Sequence, residues 1–557
     1  HERGARIIEE LGHDATALAI DELLAIDGIG EGTAKKIREY AETGRIAEHG
    51  ELWADVPHGL LDVLRVPGLG PKSVKLLWEK AGVTDLVSLK AKLDDGTVEE
   101  LPRMGAKTVK NIRDALAFME KSGGRIRIGA AMAVAEAIVA HLRELPSVRQ
   151  VEYAGSLRRG KETIGDVDVL ASGSDPKAIG DAFVAMDDVE QVLAHGATKC
   201  SVRLRSGVQA DLRLVDADAF GAALMYFTGS KEHNVRLRER ALSMEMTLNE
   251  YGLFPEDDDD RPPQRRGVTP VASATERSIY EALGLRWIPP ELREDRGEVG
   301  ASEADELPEL VELDDIVAEL HAHTRASDGQ LSIGELAEEA IRRGFHTLAV
   351  TDHSQSSVVA NGLSPERVVE HIEAIREVQR DLGRKIRLLA GSEVDIHADG
   401  SLDYDDELLE MLDLVVASPH ASLRQDPAKA TERLLAAVRH PLVHILGHPT
   451  GRIVNSREGL SPDIAVIAEA AREAGTALEI NANDWRLDLR DAHVRLAVDI
   501  GCPIAINCDV HDRKNFDLLR FGVLTGRRGW LPKRLCVNAW SASELWRWID
   551  GKRGTSR

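Results

Sequence analysis

The stretch Tyr153–Ser172, YAGSLRRGKETIGDVDVLAS, decides how this 557-residue chain is read. It opens on a Gly155-Ser156 turn, passes Arg158 and Arg159, and runs into an apolar segment that carries Asp166 and Asp168 two positions apart. In a strand the period of two sends both carboxylates to one face. A third carboxylate, Asp211 in GVQADLRLVD, follows a Ser206-Gly207 hairpin signal that would bring it alongside on a neighbouring strand. Three clustered carboxylates repel one another unless cations lie between them, and Mg²⁺ or Mn²⁺ suits oxygen ligands with positions left for substrate phosphates. The expectation is a two-metal site for phosphoryl transfer. The Gly-Ser turn and the two arginines add backbone, hydroxyl and guanidinium donors for phosphate oxygens.

Upstream, residues 1–120 read as short helices joined by glycine turns. Three segments resemble one another: LLAIDGIGEGTAKKI, LLDVLRVPGLGPKSVKLL and VEELPRMGAKTVKNI. Each has an apolar helix, a tight turn at Gly28/Gly30, Gly68/Gly70 or Gly105, and a second helix opening with small or basic residues such as Lys72. Glycine permits positive φ and close backbone approach, and free N–H groups at a helix start suit a phosphate. Such a device grips a nucleic-acid backbone without reading bases. The net charge of −24 looks wrong for that task, but residues 291–318 alone hold eleven acids against two bases. With a Debye length of about 8 Å at physiological salt, local sign matters more than the total.

Composition narrows the class further. At roughly 100–200 residues per domain the length predicts three or four domains, and 43% apolar residues can fill their cores. Four cysteines (Cys200, Cys502, Cys508, Cys536) without a Cys-x-x-Cys pair support neither a disulfide framework nor a thiolate zinc ribbon. No apolar run is long enough to span a bilayer and no signal core opens the chain, so a cytoplasmic location is expected. The chain begins at His1 without Met, which reads as a short missing N-terminal piece. No heptad seam occurs, and a monomer is expected.

Beyond residue 315, apolar strand-like runs repeatedly end in a metal-ligand type of residue. LHAHT supplies His321 and His323, LAVTDHS His353, LLAGSEVDI Glu393, VVASPH His420, HILGHP His448, and PIAINCDVH Asp509 and His511; Asp328 lies on the loop after the first run. Alternating strands and amphipathic helices there predict a parallel βα barrel or a doubly wound sheet, and in a barrel the carboxyl ends of strands share one rim. Six histidines with two aspartates and one glutamate fit a cluster of Mn²⁺, Zn²⁺ or Fe²⁺ better than Mg²⁺ alone. His346, His371, His440, His444 and His493 lack that placement and read as structural.

The motifs GSLRRGKETIGDVDVL, ADLRLV, YFTGSKEHN and LNEYGLF together resemble a family X DNA polymerase over roughly residues 1–290. The resemblance implies Asp166, Asp168 and Asp211 as catalytic metal ligands, and Gly155, Ser156, Arg159 and Lys231 around the triphosphate. It implies Tyr226, Phe227 and Gly229 around the incoming sugar, Asn234 on the nucleotide base in the minor groove, and Arg238 on the template side. Lys36, next to Lys35, falls at the family's Schiff-base position, where like-charge repulsion would depress the amine pKa for lyase chemistry. The sequence departs from the family at His233, where eukaryotic members carry an aromatic, and at Gln209, where an arginine is common. The motifs HxH, TDHS, GSE, SPH, GHP and DVH resemble the polymerase and histidinol phosphatase (PHP) domain over most of 315–557, which implies a trinuclear site.

The expected fold is therefore multidomain, α+β and α/β: helix-hairpin-helix domains, a nucleotidyltransferase-type palm sheet, and a distorted C-terminal α/β (PHP) barrel. The expected divisions are 1–60 lyase-like, 61–125 a second DNA-binding subdomain, 126–248 the palm, 249–290 the nascent-base-pair subdomain, 291–315 an acidic linker or strap, and 316–557 the barrel. A bacterial family X polymerase fused to a PHP domain would take gapped or primer-template DNA and dNTP. It would fill short gaps in repair and degrade 3′ ends with Mn²⁺, with AP endonuclease or 3′-phosphatase action as further activities. Two rival readings stay open: a phosphoesterase whose polymerase half only recruits DNA, and a non-enzymatic scaffold for DNA ends.

Overall fold

The computed structural model describes residues 15–26, 29–49, 56–64, 66, 69–102, 104–121, 124–257, 259 and 261–552. The chain divides into two compact units, His1–Lys121 and Ser122–Arg557. In the first unit one turn geometry occurs three times. The amides of Ile29, Leu69 and Met104 donate to the carbonyls of Ile26, Val66 and Leu101, three residues back. A helix follows each turn: Glu31–Thr43, Pro71–Ala81 and Ala106–Lys121. Leu23, Ile29, Ala34 and Ile37 pack the first pair, and Leu60, Val63, Leu77 and Ile112 belong to the core of the other two. Gly30 and Gly70 cap their helices at φ −86° and −91°, extended backbone open to any residue. Positive φ therefore does not explain glycine at these two positions, contrary to the expectation. A Cβ at Gly30, Gly70 or Gly105 would meet nothing within 4 Å, so no packing within the chain requires glycine there. Gly28 and Gly68 lie outside the described residues.

The second unit begins with a five-stranded sheet: β1 Val148–Tyr153, β2 Asp166–Gly173, β3 Val189–His195, β4 Lys199–Leu204 and β5 Gln209–Leu214. Their spatial order is β1-β2-β5-β4-β3, with only β2 and β5 parallel. Val167, Val169 and Leu212 enter a core with Ile138 and Leu142 of helix Ile128–Arg143 and Ile179 and Phe183 of helix Pro176–Val184. Burying those positions sends the alternate residues of β2, Asp166 and Asp168, to the opposite face. β3 is an edge strand exposed along most of its length, and its sequence VEQVLAH offers no apolar alternation.

Seven parallel strands follow in sequential order: β6 Ala318–Glu319, β7 Thr347–Val350, β8 Arg387–Asp395, β9 Leu414–Ser418, β10 Ile445–Leu446, β11 Ala477–Asn481 and β12 Ile504–Asn507. Their residues are buried almost throughout, as continuous apolar runs between helices require. A parallel bridge between Ala322 and Val510 joins the first strand region to the last, so the sheet is a nearly closed barrel.

Residues 291–315 are not a free linker. Glu291, Arg293, Glu298 and Ser302 are buried. Each of the three charged residues has an opposite or polar partner: Glu291 takes Arg527, Arg293 takes Glu276, and Glu298 takes His233. Acid-rich sequence reads as solvated, whereas here specific partners repay part of the desolvation. The barrel also contributes apolar side chains upstream, with Leu487 and Phe521 in the palm core and Trp530 in the core around Leu237 and Tyr280. Asn455 donates to the Arg125 carbonyl at 2.7 Å, and Arg452 pairs with Glu162 at 2.5 Å.

Candidate functional site

Strand register builds the first site. Asp168 on β2 lies directly opposite Asp211 on β5, and Asp166 opposite Gln209. One carboxylate oxygen from each of Asp166, Asp168 and Asp211 lies within 4.8 Å of the others. Burial and the charges of Asp166 and Asp211 push the Asp168 carboxyl up to about 7, the electrostatic debt a cation would relieve. Burial acts on Asp211 in the same sense, but hydrogen bonds from Lys199, Ser201 and Gln209 outweigh it and hold that carboxyl below its ordinary value. Lys199 Nζ stands 2.6 Å from Asp211 Oδ2, and Gln209 Nε2 donates to Oδ1 at 3.1 Å. The Gln209 departure thus has a defined place, orienting the third aspartate. Gly155 takes φ +63°, and a Cβ there would fall 2.5 Å from Asp168 Oδ2.

The surrounding residues are placed unevenly. Ser156 lies in the one-turn helix Gly155–Arg158 beside this carboxylate. Arg159 is buried, donating to Glu294 at 2.9 Å and to the Thr228 carbonyl at 2.6 Å, so its guanidinium is committed rather than free for a phosphate. Arg158 forms a bidentate pair with Glu276. Tyr226 and Phe227 meet edge to face at 5.2 Å, at the end of helix Phe220–Thr228, and Gly229 follows at φ +68°. Asn234 donates to the Tyr226 carbonyl at 2.7 Å, tying the next helix, Lys231–Ser243, to that pair. Lys231 and Arg238 are exposed on this helix. His233 is buried between Glu298 and Tyr280 and faces no open cleft.

In the first unit Lys36 Nζ lies 2.5 Å from Glu48, and Lys35 pairs with Glu31 at 3.5 Å. A carboxylate thus lies beside each of the two amines. Lys72 is exposed on the first turn of its helix.

The second site gathers all nine expected groups at the carboxyl rim of the barrel. His323, Asp328, His353 and His511 form one group, His321, His323 and Glu393 another, and His353, Glu393 and His420 a third. His448 Nε2 is 2.9 Å from Glu393 Oε1, and Asp509 Oδ1 is 3.1 Å from His323 Nε2. Glu393, at the centre of the network, carries two buried oxygens without a hydrogen bond. His321 Nε2, both ring nitrogens of His323 and His448, His353 Nδ1, His420 Nε2 and Asp509 Oδ1 are likewise buried and orphaned. Buried polar atoms are normally satisfied, and orphans converging on one space fit a cluster of divalent ions. Burial with the charges of His511 and His353 pushes His323 down to about 4, whereas against burial the Glu393 and Asp395 carboxylates push His420 up to about 10 and Asp509 and Asp328 push His511 up to about 9. Asp509 (φ +52°) and His448 (φ +22°) take left-handed backbone, strain that functional sites retain.

The sequence reading missed the residues that aim these ligands. Glu479 accepts from His321 at 2.7 Å and from the His448 amide at 2.6 Å. Asp395 bonds His420 Nδ1; Asp352 receives Thr324, Ser327 and His371, which are not ligands themselves but fix the loop between His323 and Asp328. Acidic residues one or two places from a strand-end ligand, as in TDHS and GSEVD, were the available signal. Among the described residues, Arg486 is the one Arg or Lys lining the rim pocket, 3.9 Å from Asp509.

Family models match three parts of the chain: the SAM-like helix-hairpin-helix tandem at 60–117, the DNA polymerase beta thumb at 223–294 and the PHP domain at 319–483. Over 534 residues the chain is 36% identical to the DNA polymerase/3′-5′ exonuclease PolX of Bacillus subtilis (strain 168), covering 96% of this chain and 92% of that protein. It is 31% identical over 203 residues to a probable phosphatase of Syntrophotalea carbinolica, 35% of this chain and 79% of the other. It is 25% identical over 301 residues to DNA polymerase lambda of Arabidopsis thaliana, 49% of this chain and 54% of the other. The chain belongs to the bacterial PolX family of DNA polymerase/3′-5′ exonucleases.

Proposed function

We propose that this chain fills short DNA gaps at the aspartate site and degrades 3′ ends at the barrel rim, as a cytoplasmic, monomeric repair enzyme. The observation that carries the reading is the convergence, in one chain, of two separate ligand clusters whose charges or orphaned atoms call for cations. Asp166, Asp168 and Asp211 would hold Mg²⁺ or Mn²⁺, and the nine rim groups up to three ions of Mn²⁺, Zn²⁺ or Fe²⁺. Bound divalent ions supply positive charge to phosphate oxygens and lower the pKa of an attacking hydroxyl or water.

The chain's own residues do the positioning. Gly155 leaves room for the Asp168 carboxylate, while Lys199 and Gln209 fix Asp211. Ser156, Lys231 and Arg159 serve the dNTP triphosphate, Arg159 after release from Glu294. Tyr226, Phe227 and Gly229 border the sugar, Asn234 faces the base and Arg238 the template. The glycine turns at 28/30 and 68/70, with Lys72, hold primer-template backbone, and Lys36 is the candidate amine for abasic sugar. At the rim, Arg486 offers a guanidinium to the scissile phosphate. AP endonuclease and 3′-phosphatase action belong to the same reading of the rim.

The test supplies gapped DNA with and without dNTP, in Mg²⁺ and in Mn²⁺. Extension with dNTP and shortening in Mn²⁺ without it are expected; retention of DNA with neither reaction overturns the reading in favour of a scaffold.

A further inference from the structure

The barrel pocket has an apolar lip that its metal-ligand chemistry leaves unused. The cavity, about 700 Å³, is floored by candidate ligands, and Val358 and Val359 line its edge. These valines are 80% and 105% exposed, the highest values for large apolar side chains among the described residues. Their turn is anchored. The Ser356 amide donates to Asp403 at 2.8 Å, and the Ser356 and Ser357 hydroxyls both donate to Asp395, the carboxylate that also holds His420. The valines are thus held in water by the hydrogen-bond system that orients a candidate ligand.

Adjacent apolar side chains fixed at a pocket mouth mark a contact surface. Two residues are far too small a patch for a stable protein interface, which needs about 1,000 Å² in total. A polynucleotide fits better, because a phosphodiester seated beside Arg486 carries a base on the adjoining sugar, Arg486 and the two valines line the same pocket, and a base presents a flat apolar face. Inserted apolar side chains unstack base steps, and packing against a base face is sequence-tolerant. Resting on the exonuclease reading above, we infer that Val358 and Val359 form a wedge that packs against the base of the 3′-terminal nucleotide and lifts it off its neighbour.

The test pairs the full-length chain with its V358S/V359S variant on two oligonucleotides, one ending in an ordinary 3′ nucleotide and one in a base-less 3′ sugar phosphate. The wild type is expected to remove the base-bearing end about tenfold faster, and the variant to lose most of that preference. Where the wild type hydrolyses either strand, equal preference in both proteins, or none in the wild type, overturns the wedge. A second readout does not use turnover: without added metal, a strand ending in 2-aminopurine should brighten on binding the wild type, as unstacking predicts, and should not brighten on binding the variant. Brightening in both proteins also overturns the wedge. Brightening in the wild type alone, with hydrolysis of neither strand, keeps the wedge and defeats the exonuclease reading instead.

Discussion

The two ligand clusters solve one problem in opposite ways. In the palm, three carboxylates on neighbouring strands share a face, and Asp166 stays exposed. In the barrel, nine groups from across the barrel's length meet in a pocket where most are buried and Glu393 touches imidazoles from four segments. An open, all-oxygen site suits a hard ion that arrives with its substrate, whereas a buried imidazole-rich site retains borderline ions of its own. The contrast predicts that the two chemistries separate by substitution, by metal and by supporting residue.

The largest effects should be reciprocal. Asp168→Asn is expected to lower incorporation on gapped DNA by about three orders of magnitude while Mn²⁺-dependent shortening persists, and His353→Ala to do the reverse. Single-turnover assays on one preparation of each variant decide this, and loss of both reactions in either variant would break the proposed independence.

Supporting residues come next. Glu479→Gln, which leaves His321 without its charged acceptor, should weaken metal retention at the rim by about 10–100-fold. Metal content after dialysis measures it. Lys199→Met, at the open palm site, should raise the Mg²⁺ needed for half-maximal incorporation only severalfold.

A third prediction concerns the packing behind the palm site, where Arg158 meets Glu276. Burial would raise the Glu276 carboxyl, but the Arg293 and Arg158 guanidiniums hold it well below its ordinary value. A depressed folded pKa gives stability that is present above the unfolded value and lost on acidification. Thermal stability of the second unit should therefore fall as pH drops below about 4.3. Arg293→Met, which strips one partner from a buried carboxylate, should cost about 3 kcal/mol at neutral pH and flatten that slope.

The smallest effect belongs to the first unit. Lys36→Ala should change affinity for gapped DNA by about twofold, read by fluorescence anisotropy, yet remove the borohydride-trapped adduct on abasic DNA.

Much of each cluster was legible in local pattern. Asp166 and Asp168 alternate with valines that seek the core, so their shared face follows from strand period alone. The rim ligands are legible because each ends an apolar run, and parallel strands bring their carboxyl ends to one side. Glu479 and Lys199 were not legible, since nothing near either in sequence names His321 or Asp211 as its partner. Arg159 shows the same limit: its motif suggests a free phosphate donor, while Glu294, far along the chain, occupies its guanidinium.

Sequence alone determined the chemical inventory: which side chains can ligate, which elements carry them, and three repeats of one turn. Tertiary structure decided the pairing of Asp168 with Asp211, the near-closure of the barrel through Ala322 and Val510, the burial of residues 291–315, and the exposure of Val358 and Val359. Periodicity is a property of neighbours and survives in the linear text. Convergence, burial and the partner of a charge depend on contacts between distant segments, which exist only once the chain has packed.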